Sequence, residues 1–163
     1  RFDETDVREM GRTAAGVKGI TLSEDDIVVG MEILEPDANV LIVTEKGYGK
    51  LTPEKEYRVQ SRGGKGLKTC KITDNNGPLV AVKATNAEAE EDLMIITGSG
   101  VIIRMAVSDI STTGRVTQGV RLIRLGDDEH VATVALVEQS PEDDEENSEE
   151  NVENVESDQE QSE

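Results

Sequence analysis

Three copies of one cationic pattern stand out among the side chains able to do chemistry. Arg12, Arg62 and Arg115 are each followed four residues later by glycine (Gly16, Gly66, Gly119), then by an aliphatic residue, and then by Lys18, Lys68 or Arg121. Guanidinium and ammonium groups at a fixed spacing suit a polyanion held by its phosphates. More bases surround the second and third copies. Residues 44–71 hold eight bases, Lys50, Arg58 and Lys65 among them, against three acids, and residues 101–126 hold Arg104, Arg115, Arg121 and Arg124 against Asp109 alone. Bases recurring in register form a positive band that fits duplex DNA: each phosphate neutralised releases counterions, and bending is repaid by further contacts. The expected phosphate contacts are therefore Arg12, Lys18, Lys50, Arg58, Arg62, Lys65, Lys68, Arg104, Arg115 and Arg121. Base readout is not expected, because no helix or paired ribbon with Asn, Gln and Arg at groove spacing is visible. The plain alternative is solvated loop charge, and recurrence three times in register weighs against it.

Other reactive residue types lead nowhere catalytic. His130 is the only histidine and has no second His or Cys at ligand spacing, so metal or triad chemistry is not expected. Comparing the chain with itself, as below, aligns Cys70 with Ile20 and Ile123, Tyr57 with Val7 and Ile110, and Tyr48 with Val101, all readings of apolar packing. Gly63-Gly64-Lys65-Gly66 lacks the spacing and the helix of a phosphate-binding Walker loop. The three aromatic residues, Phe2, Tyr48 and Tyr57, are too few to stack a single strand. No catalytic residue, metal ligand or cofactor site is expected in this chain.

Charge and composition set the frame that positions these groups. The 163 residues carry a formal charge of −18, but residues 138–163 hold 13 acids and no Lys or Arg, leaving 22 acids and 17 bases before them, a net of −5. The segment from 138 has only Val152 and Val155 as aliphatic residues and is expected to be a disordered acidic tail. In residues 1–137, Val and Ile total 27 and Leu 10, a balance that favours strands. The apolar runs are short: Ile27-Val28-Val29, Val40-Leu41-Ile42-Val43, Leu79-Val80-Ala81-Val82, Leu93-Met94-Ile95-Ile96, Val101-Ile102-Ile103 and a last one from Val131 to Val137. Turn signals separate them, at Thr44-Glu45-Lys46-Gly47, Asp74-Asn75-Asn76-Gly77-Pro78 and Thr97-Gly98-Ser99-Gly100. An all-β domain of short antiparallel strands follows. No apolar run reaches the roughly 18 residues of a membrane span, the start has no apolar signal region, and the single cysteine fits a reducing compartment.

A shift of 53 residues superposes Thr44 on Thr97, Gly47 on Gly100, Arg62 on Arg115 and Gly66 on Gly119, and a shift of 50 superposes Arg12 on Arg62 and Gly16 on Gly66. A period of about 50 with four short strands per unit marks propeller-like blades. Three units are too few to close a ring, so residues 1–137 are expected to be the half of a larger ring, cut inside a blade.

Arg8-Glu9-Met10-Gly11-Arg12 with Thr13-Ala14-Ala15-Gly16-Val17-Lys18-Gly19-Ile20, then Gly47-Tyr48-Gly49-Lys50, and Gly114-Arg115-Val116-Thr117-Gln118-Gly119-Val120 closely resemble the last three blades of the C-terminal domain of the DNA gyrase A subunit. The resemblance covers residues 1–137. It implies a six-bladed β-pinwheel that wraps duplex DNA on its rim and so supports ATP-dependent negative supercoiling. It also implies a bacterial, cytoplasmic, nucleoid-associated setting, with the gyrase B subunit and the rest of gyrase A as partners in an A2B2 holoenzyme. ATP and magnesium would be used by other domains of that enzyme. Gln60-Ser61-Arg62-Gly63-Gly64-Lys65-Gly66 resembles the family's wrapping box except at Ser61, but its neighbours place it in the fifth blade. The related topoisomerase IV A subunit is the nearest alternative, and a propeller-type scaffold for a basic protein partner is the alternative from another class.

Overall fold

Val40-Leu41-Ile42-Val43 is apolar at every position, and successive strand residues face opposite ways, so a strand here needs cover on both sides. The computed structural model, which describes residues 1–86 and 90–139, supplies it. Strand β1 (Asn39–Thr44) turns through Gly47, at φ 76°, into β2 (Tyr48–Pro53), and β3 (Leu79–Thr85) flanks β1 on its other edge. The next unit repeats the plan: β4 (Glu91–Thr97) turns through Gly100, at φ 89°, into β5 (Ile102–Ala106), and β7 (Val131–Glu138) flanks β4. All these pairings are antiparallel. Even the irregularities recur, since the ladder shifts between Val43 and Thr44 and again between Ile96 and Thr97, 53 residues on.

The first sheet gains its fourth strand from the following unit: β6 (Val120–Arg121) pairs with β2, Tyr48 opposite Arg121 and Gly49 opposite Val120, giving the order β3-β1-β2-β6. The second sheet has the order β5-β4-β7. The short 3-10 turns also recur in register, at Glu4–Asp6, Glu54–Glu56 and Val107–Asp109. Among the described residues there is no α-helix, and no helix is long and apolar enough to cross a membrane.

The two sheets pack on each other. Leu41, Val43, Leu51 and Ala81 of the first meet Leu93, Ile95, Val131 and Val134 of the second, with Val107, Ile110 and Ile123 completing the core. Each such fully buried aliphatic side chain contributes roughly 1.5–3 kcal/mol. On the outer face of β1, Val40 and Ile42 pack with Tyr57 and Cys70. The thiol and the Tyr57 ring are thus core groups, as their aligned positions indicate.

The first unit departs from expectation. Ile27-Val28-Val29 forms no strand, and Ile27, Val28, Met31 and Ile33 are exposed. Shifting by 50 shows this segment to be the counterpart of the run leading into β3, which takes its ladder hydrogen bonds from β1; the described residues contain no counterpart of β1 to supply them. For the same reason Val7 and Ile20 are exposed, whereas their counterparts Tyr57, Ile110, Cys70 and Ile123 are buried. At the other end, β7 runs through Glu138, and the Gln139 backbone N–H donates to the Glu90 carbonyl, so ordered structure extends two residues past the expected boundary. The rest of the expected acidic tail lies outside the described residues.

Candidate nucleic-acid interface

The thrice-repeated turn is where cations collect, and its glycine has a structural reason. Gly16, Gly66 and Gly119 have φ of 82°, 80° and 81°, a left-handed conformation that side chains with a Cβ rarely adopt. At Gly119 a Cβ would also stand 2.7 Å from the Gly49 carbonyl oxygen, so glycine is what lets β6 come in beside β2. The glycine therefore fixes the position of the residue two further on, Lys18, Lys68 or Arg121, and all three are exposed.

The arginine four residues before each glycine has a different task. Arg62 Nη1 donates to the Lys18 carbonyl at 2.5 Å and its Nε to the Asp6 carbonyl at 3.0 Å. One period later, Arg115 Nη1 donates to the Lys68 carbonyl at 2.7 Å. Arg62 and Arg115 thus each hold the backbone of the preceding unit at the very residue whose side chain faces out. A backbone bond in the same register supports it: Thr21 N–H to the Gly64 carbonyl at 2.8 Å, then Lys71 N–H to the Thr117 carbonyl at 3.0 Å. Arg62 and Arg115 are half-buried. Their expected role as phosphate contacts gives way, for the donors named, to holding neighbouring units together.

Lys50 calls for a correction. It is fully buried on β2, and its ammonium donates to the Gly114 carbonyl at 2.7 Å, the Arg115 carbonyl at 2.6 Å and Thr117 Oγ1 at 3.1 Å. A buried ammonium is tolerated only when its protons are satisfied, and these three acceptors do so. Burial holds it below the ordinary lysine value, with Cys70 acting upward and Arg115 downward. Lys50 is an internal anchor for the loop that carries Arg115, and it does not reach a phosphate. Burial likewise raises the Cys70 thiol, against the opposing effects of Lys50 and of the Asn76 amide.

The remaining expected contacts, Arg12, Lys18, Arg58, Lys65, Lys68, Arg104 and Arg121, are all exposed, and Arg104 and Arg121 also have side-chain partners within the domain. Arg104, on β5, donates from Nε to Asp92 Oδ2 at 2.5 Å, an ion pair within the second sheet. Arg121 lies over Tyr48, its guanidinium 5.4 Å from the ring centroid and its Nη2 donating to the Tyr48 hydroxyl at 3.0 Å. Tyr48 is half-buried rather than a core residue, contrary to the reading from Val101. Sequence reasoning missed it because the register that pairs Tyr48 with Arg121 joins residues 73 apart on different units. Among the described residues no group of His, Cys, Asp and Glu is arranged to hold a metal ion.

Blades of one strand order, interlocked by a strand and an arginine from the next unit, define a propeller-type β domain with cations on its repeated turns. The chain belongs to the DNA gyrase C-terminal domain, β-propeller family, whose model matches residues 1–35, 38–86 and 91–138. It is 56% identical over 146 residues to the DNA gyrase A subunit of Staphylococcus aureus strain COL, a match that covers 88% of this chain and 16% of that protein. Among solved structures it resembles a DNA gyrase A C-terminal domain (TM-score 0.72, 25% identity, 82% of this chain and 45% of that one). It also resembles the C-terminal domain of DNA topoisomerase IV (TM-score 0.76, 26% identity, 84% of this chain and 42% of that one). The chain thus spans about one sixth of the gyrase protein it matches and less than half of each solved domain.

Proposed function

We propose that this chain binds duplex DNA on a basic rim and helps to wrap it, through phosphate contacts that do not depend on sequence. The observation that carries the reading is the placement of Lys18, Lys68 and Arg121 at one position of three successive units, each exposed. Arg12, Arg58 and Lys65 add exposed charge to the same turns. A duplex following such a rim must bend, and each new contact offsets part of the bending cost. In this reading the chain has no catalytic activity of its own. It acts as part of the gyrase A subunit, with the gyrase B subunit, in an ATP- and magnesium-using enzyme that introduces negative supercoils in the bacterial cytoplasm, at the nucleoid. The likeness to the topoisomerase IV domain supports a second reading, binding of DNA crossovers.

The test is retention of a linear duplex of on the order of 100 base pairs by the 163-residue chain across a salt series. Phosphate contacts predict a steep slope of log K against log salt, and Lys18→Ala or Lys68→Ala should each reduce it by about 0.9. Equal loss for unrelated DNA sequences is expected. No retention at low salt, or slopes that ignore both substitutions, would overturn the assignment.

A further inference from the structure

The pairing of Tyr48 with Arg121 borders a shallow cleft of about 500 Å³ lined by Tyr48, Arg121, Leu122, Ile123 and Arg124. Its continuation adds Lys46, Asn75, Asp127 and Glu129. Several of these groups are already engaged. Lys46 Nζ donates to the Asp74 carbonyl at 2.5 Å, and Glu129 Oε1 accepts from the Ser99 backbone N–H at 3.1 Å. Tyr48, Arg121 and Arg124 keep donors that the bond between Arg121 and Tyr48 does not use. A tyrosine hydroxyl that accepts a hydrogen bond keeps its own proton to donate, and a guanidinium donor polarises that O–H and strengthens it. Arg121 commits one of its five N–H donors to Tyr48, and the ring beneath holds the planar fork in place. Arg124 is exposed and brings a second full charge to the same cleft.

One neutral donor and two guanidinium groups on a single depression match an oxyanion with several acceptor oxygens. Tyr48, Arg121 and Arg124 line both parts, whereas the carboxylates of Asp127 and Glu129 line only the continuation, so an anion is favoured in the cleft beside Leu122. We infer that this cleft seats one backbone phosphate of the bound duplex, with Tyr48 as its neutral donor and Arg121 and Arg124 as its charge. The inference rests on the DNA-binding reading above. It adds a phosphate site set by the strand exchange between units, and it gives the half-buried tyrosine a role in binding.

The experiment uses the full chain and the same linear duplex. Tyr48→Phe keeps the ring under Arg121 and removes only the hydroxyl; it should weaken binding about fivefold and leave the salt slope unchanged, because a neutral donor releases no counterion. Arg124→Ala, at an exposed position, should reduce the slope by about 0.9. A thermal melt matching that of the parent chain shows that neither change acts through folding. Inorganic phosphate titrated at fixed ionic strength, with the Tyr48 ring signals followed by NMR, supplies the other arm. Perturbation by the duplex, with phosphate a weak competitor, supports the assignment. Saturation by inorganic phosphate with no response to the duplex would make this a small-anion site and overturn it. Parent-like affinity of Tyr48→Phe together with a parent-like slope for Arg124→Ala would overturn the cleft assignment alone, whereas failure of the parent chain to bind the duplex would remove the DNA reading and this site with it.

Discussion

Arg62 and Lys65 stand three residues apart in one turn, yet the guanidinium reaches back to two carbonyls of the preceding unit while Lys65 is exposed to water. Lys50 and Lys68 present the same contrast more sharply. Lys50 is enclosed by the carbonyls of Gly114 and Arg115, and Lys68 offers its own carbonyl to Arg115 while its side chain points out. Recurrence of a charge therefore has two physical causes in this fold. The forks of Arg62 and Arg115 recur where loops of successive units are joined, and the bases Lys18, Lys68 and Arg121 recur where charge faces outward. Repetition alone does not say which of the two a given base serves.

Lys50 offers the largest test of that division. Lys50→Ala removes the stem packing, leaves the Arg115 carbonyl without its donor and takes one bond each from the Gly114 carbonyl and Thr117 Oγ1, and should lower stability by about 3 kcal/mol. The urea midpoint measures this, with the slope m unchanged if the fold survives. Lys50→Met keeps most of the stem and should lose less, which separates packing from hydrogen bonding. Lys65→Ala, by contrast, should stay within about 0.5 kcal/mol of the parent chain. A Lys50→Ala chain as stable as the parent would mean that the ammonium reaches solvent, and would return it to the list of DNA contacts.

The two arginines sharpen the comparison at smaller scale. Arg62 makes two bonds to the neighbouring unit and Arg115 one, so Arg62→Ala should cost about 2 kcal/mol and Arg115→Ala about 1 kcal/mol, since hydrogen bonds from charged groups exceed neutral ones. Arg62→Lys should not restore stability, because a single ammonium cannot reproduce the fork. Unfolding curves of the three variants decide the matter. Full rescue by lysine would leave charge, rather than geometry, as what the site requires.

Much of the frame was readable from residues alone. Short runs rich in Val and Ile, the glycine turns at Gly47 and Gly100, and the repeat of 53 residues all reflect local chemistry, and the ladder even repeats its irregularity at that spacing. What escaped the sequence depends on partners far along the chain. Ile27-Val28-Val29 has the composition of a strand but no described strand to pair with. Lys50 reads as an ordinary strand lysine until a loop 64 residues away encloses it, and Tyr48 reads as packing until β6 of the next unit brings Arg121 across it. An exchanged strand moves these residues out of reach of local pattern, so the errors gather along β2. That bases recur at the repeated turns was legible as a pattern; which of them stay exposed and which hold the units together was not, because that depends on carbonyls of the neighbouring unit.

The smallest effect concerns Cys70 and its coupling to Lys50. Burial raises the thiol above its ordinary value of 9.0, so as pH rises the unfolded chain loses this proton first. The unfolded state then binds fewer protons than the folded one, and stability falls with pH. The contribution of Cys70 is accordingly complete below the ordinary thiol value and is lost as pH climbs through the raised one. Lys50 has the opposite sign. Its depressed value makes the folded chain release a proton before the unfolded chain does, so its linkage increases stability as pH approaches the ordinary lysine value of 10.5. In the parent chain the two groups thus act with opposite sign. Cys70→Ala removes the falling part. Urea midpoints taken at about pH 8 and about pH 10 should therefore show this variant gaining on the parent as pH rises, relative to their difference at the lower pH. A difference that stays constant across the window would mean that the thiol titrates alike in the folded and unfolded chains, which its place beside Val40, Ile42 and Tyr57 argues against.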